Sequence, residues 1–468
     1  MRNRILSSLT SPSHLYPSLA RCRGSRLRSW DTALRCVSTF PPVTKVEKLV
    51  LDTIKATGPI SFSTYMQMCL SHPTEGYYSN PSHPVFGTKG DFITSPEISQ
   101  VFGELLAIWL LSQWLNTGRS KPIRLVELGP GRGTLMADIL RVFSQFPAAR
   151  AAVKEVTLVE NSDSMQKLQQ EKLQPLVDGN KWTIAWANSI EEVNPSEGQY
   201  TMIIAHEFFD ALPFHLLERS TQGWREVLIT SDPDPAEPIK LTSSSPLLEG
   251  STRNAAGVKG SSRLRPVISS TPSATANLLG ASSPRFDKLP VGSRLEVSPT
   301  AFKVARRIGE ILHSASIGGD GATGCALIVD YGGEKSYGNS FRAFKDHKIV
   351  DVFERPGECD LTTNVDFAYL KDAIADLAMP LGLLPQGIFL TRMGLQLRVE
   401  ALKKVARDET RKMDIEKAAN RLVDATGMGS QYQVFAISGS TQHQSTPEQR
   451  WPFIDKTTDL RSSQSTNS

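Results

Sequence analysis

The chain has 468 residues, 40% hydrophobic and 21% charged, the balance of a globular protein with room for two domains or one large α/β domain with insertions. No stretch reaches the roughly 18 uninterrupted apolar residues of a membrane span; the nearest, "LLAIWLLSQWL" at 105–115, is short, follows Glu104 and reads as a buried helix. The formal charge of +4 rests on the first 40 residues, where seven arginines face one acid, so the remainder stands at −2 and gives no basic balance that suggests nucleic acid.

Those first residues hold Arg2, Arg4, Arg21, Arg23, Arg26, Arg28, Arg35 and many serines beside the single acid Asp31, the composition of a mitochondrial presequence over 1–40. From about Val43 to Thr117 the patterns are helical, with "VEKLVLDTIKATG" at helix spacing and Gly58 as its stop. Inside that region sits the aperiodic stretch "HPTEGYYSNPSHPVFGTKGDFITSPEIS"; ordered loops of such length tend to be lids or binding loops. Short apolar runs then alternate with helical stretches: 123–128, 155–160, 182–186, 200–209 and later 325–331. This spacing predicts an α/β, doubly wound, mostly parallel sheet. Ligands of such sheets bind beyond the carboxyl ends of the strands, so Glu127, Glu160, His206, Glu207 and Asp330 are expected at one crevice.

Residues 231–290 are rich in Ser, Pro, Gly and Ala, and are expected to form a disordered insertion, as is the tail from 438 to 468. The segments 43–120, 121–230 and 291–437 then make up the folded domain. Beyond the presequence, Cys69, Cys325 and Cys359 are scattered, with neither a disulfide framework nor zinc spacing; no metal site is expected.

"LVELGPGRGTLMADIL" (125–140) places Gly129, Gly131 and Gly133 between a predicted strand and a predicted helix. Glycines there let a ligand lie against the backbone, ahead of free N–H groups at a helix start. A dinucleotide fingerprint needs glycine where Thr134 stands, and a P-loop needs a lysine that is missing. Glu127 would repel a pyrophosphate but suits a cationic amine. S-adenosylmethionine, with a sulfonium, an α-amino group and no phosphate, fits on each count. Glu160, ending the next strand, is placed to accept ribose hydroxyls, and Asn188 or Ser189 to meet adenine.

"IIAHEFFDALPFH" (203–215) puts His206, Glu207, Phe208, Phe209 and Asp210 just after a buried strand, where the transferred methyl would face. For an arginine acceptor, carboxylates grip the guanidinium bidentately and localise its charge on the far nitrogen. Glu207 is the first candidate for that grip, with Asp210 or Glu97 next, and Phe208 and Phe209 as cleft walls. Asp210 also reads as a helix cap, His206 and His215 as structural histidines, and the phenylalanines as core.

"GDFITSPEISQVFGELLAIWL", "VELGPGRGTLM", "AHEFFDALPFH", "ALIVDYG", "RAFKDHKIVDVFERPGECDLTTNVDFAYL" and "QGIFLTRMGL", in this order, closely resemble the MidA-like family of S-adenosylmethionine-dependent methyltransferases. The resemblance covers roughly 43–230 and 291–437. It implies a seven-stranded methyltransferase sheet with added helical elements. Its mitochondrial members imply symmetric dimethylation of an arginine on the 49-kDa core subunit of complex I, in the matrix, early in assembly. Carried onto this chain, the cofactor loop is Glu127 to Thr134, Pro130 included, and the Gly90 to Glu97 loop, with Thr94 and Ser95, lies over the cofactor. The acceptor side is Glu207 to Pro213, with Asp360 to Asp366 lining the outer cleft. Many bacterial members carry Asn where His206 stands, which weakens a direct catalytic role for it. A methyltransferase for another acceptor and an assembly chaperone that binds S-adenosylmethionine with little catalysis are the rival readings; oligomeric state is not specified.

Overall fold

Apolar runs separated by helical stretches pair in parallel, because each connection must cross the sheet through a helix. The computed structural model describes residues 42–79, 93–117, 121–196, 198–231, 262–314, 324–439 and 450–454. In it the five runs become β1 (Ile123–Leu128), β2 (Val153–Val159), β3 (Thr183–Ala187), β4 (Tyr200–His206) and β5 (Gly324–Gly333). They lie side by side, all parallel, in the order β3-β2-β1-β4-β5. A sixth strand, β6 (Tyr432–Ser438), runs antiparallel to β5, and two short pieces, Met379–Pro380 and Leu384–Pro385, pair with its other edge as a broken seventh position. With Val365–Asp366 beside β5 the sheet counts nine strands among the described residues. The doubly wound α/β expectation holds.

Every residue of β1 and β4 is buried, and alternate side chains feed opposite faces. Leu125 and Leu327 join the core under α1 (Gln100–Leu115) and α2 (Thr134–Gln145). Val126, Ile203 and Ile328 join the core on the other face, under α4 (Pro299–Ser314), while α3 (Asp163–Asn180) follows β2. The apolar run at 105–115 is a buried helix as expected, and its acid Glu104 is held by the Arg398 guanidinium at 2.7 and 3.0 Å and by Arg141 at 3.2 Å. The first described helix, Lys45–Thr57, is closed by a Thr44/Glu47 capping box and stopped at Gly58, whose φ of 84° is open to glycine. Among the described residues no helix is long and apolar enough to cross a membrane. Cys69, Cys325 and Cys359 are buried, and no disulfide forms among the described residues.

The disordered reading of 231–290 is corrected from 262 onward. Leu264–Ile268 pairs antiparallel with Gly223–Ser231 in a second, five-stranded sheet that also holds Ile60–Ser61, His215–Ser220 and Arg294–Val297. Ser273 caps the helix Ala274–Gly280. Ala276, Leu279 and Phe286 are buried against Trp224, Leu295 and Tyr369. Few apolar residues suffice here because each lands on a partner from another part of the chain. Residues 232–261, the first 41 residues where a presequence is expected, the loop centre 80–92 with Gly90, and the tail apart from Ser438, Gly439 and 450–454 lie outside the described residues.

Candidate active site

Because β1 lies between β2 and β4, the chain leaves its carboxyl end toward one side and returns on the other, and a crevice opens there. It holds a cavity of about 460 Å³. Seven carboxylates line it, those of Glu97, Glu127, Glu160, Glu191, Glu207, Asp210 and Asp360. Among the described lining residues one arginine, Arg132, and no lysine faces them. Such a wall repels anions and concentrates a cationic ligand.

At one end, Gly129, Gly131 and Gly133 all take positive φ (63°, 50° and 73°), which coils the chain from β1 into α2. A Cβ on Gly129 would stand 2.8 Å from the Phe208 ring, so the close approach also requires glycine. Glu127, next to last in β1, is almost wholly buried; its Oε2 has no hydrogen-bond partner, and burial pushes its carboxyl up to about 8. Glu160 follows β2, with Oε1 accepting from the Ser162 N–H at 2.9 Å and Oε2 from Gln169 Nε2 at 3.2 Å. The same Gln169 amide donates to the Gly131 carbonyl at 2.7 Å, while its oxygen accepts from Trp186 Nε1 at 2.8 Å. Gln169 thus joins the glycine loop, Glu160 and β3. Thr94, Pro130, Asn188 and Ser189 line the same cavity.

At the other end, β4 stops in a tight turn. Glu207 adopts φ 49°, a left-handed conformation uncommon for a residue with a Cβ, and its N–H donates to the Val329 carbonyl at 3.0 Å. The following amides, of Phe208, Phe209 and Asp210, all donate to Asp330 Oδ2 at 3.2, 2.9 and 3.3 Å. The two acids of this turn, and Asp360 in the same cavity, are each steadied by a hydroxyl: Glu207 Oε1 accepts from Tyr432 at 2.6 Å, Asp210 Oδ2 from Thr362 at 2.7 Å and Asp360 Oδ1 from Tyr78 at 2.7 Å. Burial pushes the Glu207 carboxyl up to about 8 and that of Asp210 to about 6. His206 is buried between Phe102 and Tyr432, with no partner on Nε2, and burial lowers it to about 3, so it is a neutral wall at working pH.

The cavity therefore brings together Thr94, Glu97, Glu127, Gly129, Pro130, Gly131, Thr134, Glu160, Asn188, Ser189, His206, Glu207, Phe208, Asp210 and Asp360. Four expected residues fall elsewhere. Ser95 is fully buried and donates to Gln386 Oε1 at 3.3 Å. Gly133 backs onto Leu173 and Gln169 as the residue before α2. Phe209 points into the core beneath the sheet, edge-on to Phe208. Asp330 stands behind the turn, wholly buried, organising its amides rather than facing the cavity. Asp210 caps no helix; its carboxylate serves Thr362. His215 pairs with Glu226 at 2.7 Å, away from the cavity. Glu97 accepts from Thr134 Oγ1 at 2.6 Å, and so is committed to the start of α2.

Residues 105–382 match the family described as "Putative S-adenosyl-L-methionine-dependent methyltransferase". The chain belongs to this methyltransferase family. A protein named "Protein arginine methyltransferase NDUFAF7, mitochondrial" from Xenopus tropicalis is 34% identical, with 89% of this chain and 91% of that one covered. Its counterparts from Danio rerio (37%; 83% and 86%) and Homo sapiens (35%; 85% and 84%) are similar over comparable shares. Among solved structures, a Burkholderia thailandensis protein crystallised with S-adenosyl-homocysteine superposes with a TM-score of 0.66 at 23% identity, covering 88% of this chain and 96% of that one.

The methyltransferase cofactor is S-adenosylmethionine, and the unpartnered Glu127 Oε2 in an acid-lined cavity is the complement its cationic amino group requires. Several contributors to the methyltransferase site carry no sequence signal. Tyr78 and Tyr331 line the cavity, while Gln169 and Tyr432 act from behind it. Tyr432 arrives through an antiparallel register that sets it opposite Tyr331, a pairing no local motif announces.

Proposed function

We propose that the chain is a mitochondrial protein arginine methyltransferase that symmetrically dimethylates an arginine on the 49-kDa core subunit of complex I and thereby supports assembly of that complex in the matrix. The observation that carries this reading is the trio Glu207, Asp210 and Asp360, three hydroxyl-steadied carboxylates in the cavity beyond the glycine loop. A guanidinium is the protein cation whose planar donors match several carboxylate oxygens at once. The relatives named arginine methyltransferases, and named mitochondrial, support the same reading.

Bound in the cavity, S-adenosylmethionine supplies an electrophilic methyl group on a sulfonium. Glu127 would receive its amino group and Glu160 its ribose hydroxyls, with the glycine backbone against its body and Asn188 and Ser189 at the adenine. Glu207, with Asp210 or Asp360, would hold the guanidinium with one nitrogen lone pair turned toward the methyl group. Transfer of the methyl group to that nitrogen would leave the carbon–sulfur electron pair on sulfur and require the nitrogen to lose one proton. Glu207, ionised once a cation sits beside it, takes that proton. Phe208 walls the site and excludes water. Positioning supplies most of the rate.

Mass spectrometry of complex I from cells with and without the chain tests the assignment. One arginine of the 49-kDa subunit is expected to be about 28 Da lighter, two CH₂ groups, in cells lacking it. Unchanged methylation at every arginine of that subunit would send the acceptor assignment elsewhere.

A further inference from the structure

We propose that Tyr432, on the last strand of the sheet, is a positioning residue for methyl transfer: with Tyr331 as its own donor, it fixes the Glu207 carboxylate so that one oxygen is presented to the acceptor. This rests on the reading of Glu207 as the acceptor's carboxylate.

The β5–β6 register sets Tyr331 directly opposite Tyr432, with ring centroids 4.2 Å apart. The Tyr432 hydroxyl lies 2.6 Å from Glu207 Oε1 and is also hydrogen-bonded to the Tyr331 hydroxyl. A phenol has one proton to give. An ionised Glu207 can only accept, so Tyr432 donates to Glu207 and Tyr331 donates to Tyr432. The result is a directed chain, Tyr331 to Tyr432 to Glu207. Burial holds both phenols well above their ordinary range, so they stay donors across working pH. His206 lies parallel to the Tyr432 ring, with centroids 6.3 Å apart. The Glu207 backbone is fixed by its left-handed φ and by the Val329 carbonyl. Oε1 is thereby turned toward Tyr432, leaving Oε2 for the guanidinium and Asp210 or Asp360 for its second contact. This replaces the bidentate grip by Glu207 alone that its sequence position suggests.

The groups facing Glu207 are His206 from β4, Asp210 in the turn, Asp330 and Tyr331 from β5, Asp360 and Tyr432. His206 is neutral. Burial, Asp210 and Asp360 raise the Glu207 carboxyl, whereas the Tyr432 hydrogen bond lowers it. Loss of that bond therefore moves the pH at which Glu207 ionises upward.

The test uses the full chain with methyl-labelled S-adenosylmethionine and purified 49-kDa subunit, with initial rates from pH 6 to 9.5. For Tyr432→Phe, calorimetric cofactor affinity is expected to stay within about twofold, kcat to fall about tenfold at neutral pH, the scale of one hydrogen bond to a charged group, and the midpoint of the ascending limb to move up. Tyr331→Phe is expected to move it the same way by less, and carries the test if Tyr432→Phe lacks a cooperative melting transition. A superimposable profile, or one lowered evenly with an unmoved midpoint, overturns the proposal. Glu207→Gln run alongside separates the two ideas. If it turns over normally, the reading of Glu207 falls and Tyr432 with it. If it is inert with cofactor binding intact while the tyrosine variants match wild type, the positioning role alone falls.

Discussion

Binding of S-adenosylmethionine to this protein should release close to one proton at pH 7, and Glu127 should be its source. Burial lifts that carboxyl from the usual 4.5 to about 8, and its Oε2 has no partner to stabilise a charge. At pH 7 about nine molecules in ten then carry the proton, whereas an ammonium beside the carboxylate requires it gone. Relative to its alkaline plateau, cofactor affinity should be weaker by about 2-fold at pH 8, about 11-fold at pH 7 and about 100-fold at pH 6. A raised folded-state value also means that the ligand-free fold is favoured below about 4.5 and loses that contribution as pH climbs through about 8, so the melting-temperature gain from cofactor should grow with pH. Titration calorimetry at pH 6, 7 and 8 in buffers of different ionisation enthalpy measures both quantities. Glu127→Gln should bind at least about tenfold more weakly at pH 8 and release almost no proton. Glu207, also pushed to about 8, is the competing source, and Glu207→Gln should keep most of the release. A flat affinity between pH 6 and 8 with no buffer-dependent heat, or release undiminished in Glu127→Gln, would refute the reasoning.

Phe209→Ala should cost about 3–5 kcal/mol by urea unfolding, because the ring is a buried core residue, while Phe208→Ala, whose ring is only partly buried, should cost clearly less and slow turnover; equal costs would contradict the placement. Gly129→Ala combines an αL penalty of about 1–2 kcal/mol with a contact 2.8 Å from Phe208, so lowered stability and weakened cofactor binding are expected together. Leu279→Ala should cost about 2–4 kcal/mol by the same unfolding assay, since Leu279 packs with Trp224 and Phe286; no change would return that segment to the disordered reading.

The parallel sheet was legible because its apolar runs are short, buried and separated by helical spacers, and the run at 123–128 coincides with β1 to the residue. The glycine loop was legible because three glycines and Glu127 lie within seven residues of one strand end. Direction was harder to read than identity. Phe208 and Phe209 are the same residue type side by side, and only the turn over Asp330 sends one to the cavity and the other to the core. Ser95, one residue from the cavity-lining Thr94 and Pro96, turns inward to Gln386, a partner 291 positions away. Tyr432 and Gln169 act through single hydrogen bonds to groups distant in sequence, and no spacing encodes them. The Ser/Pro-rich stretch misled for a related reason: composition measures what a segment can bury by itself, and Leu264, Leu279 and Phe286 bury against residues outside it.

The most direct measurement is methyl transfer by the purified chain from methyl-labelled S-adenosylmethionine to the 49-kDa subunit of complex I, followed by hydrolysis and separation of the methylated amino acids. Label is expected in symmetric dimethylarginine, and none is expected with Glu207→Gln despite retained cofactor binding. Label in another amino acid, or full incorporation by Glu207→Gln, would contradict the account.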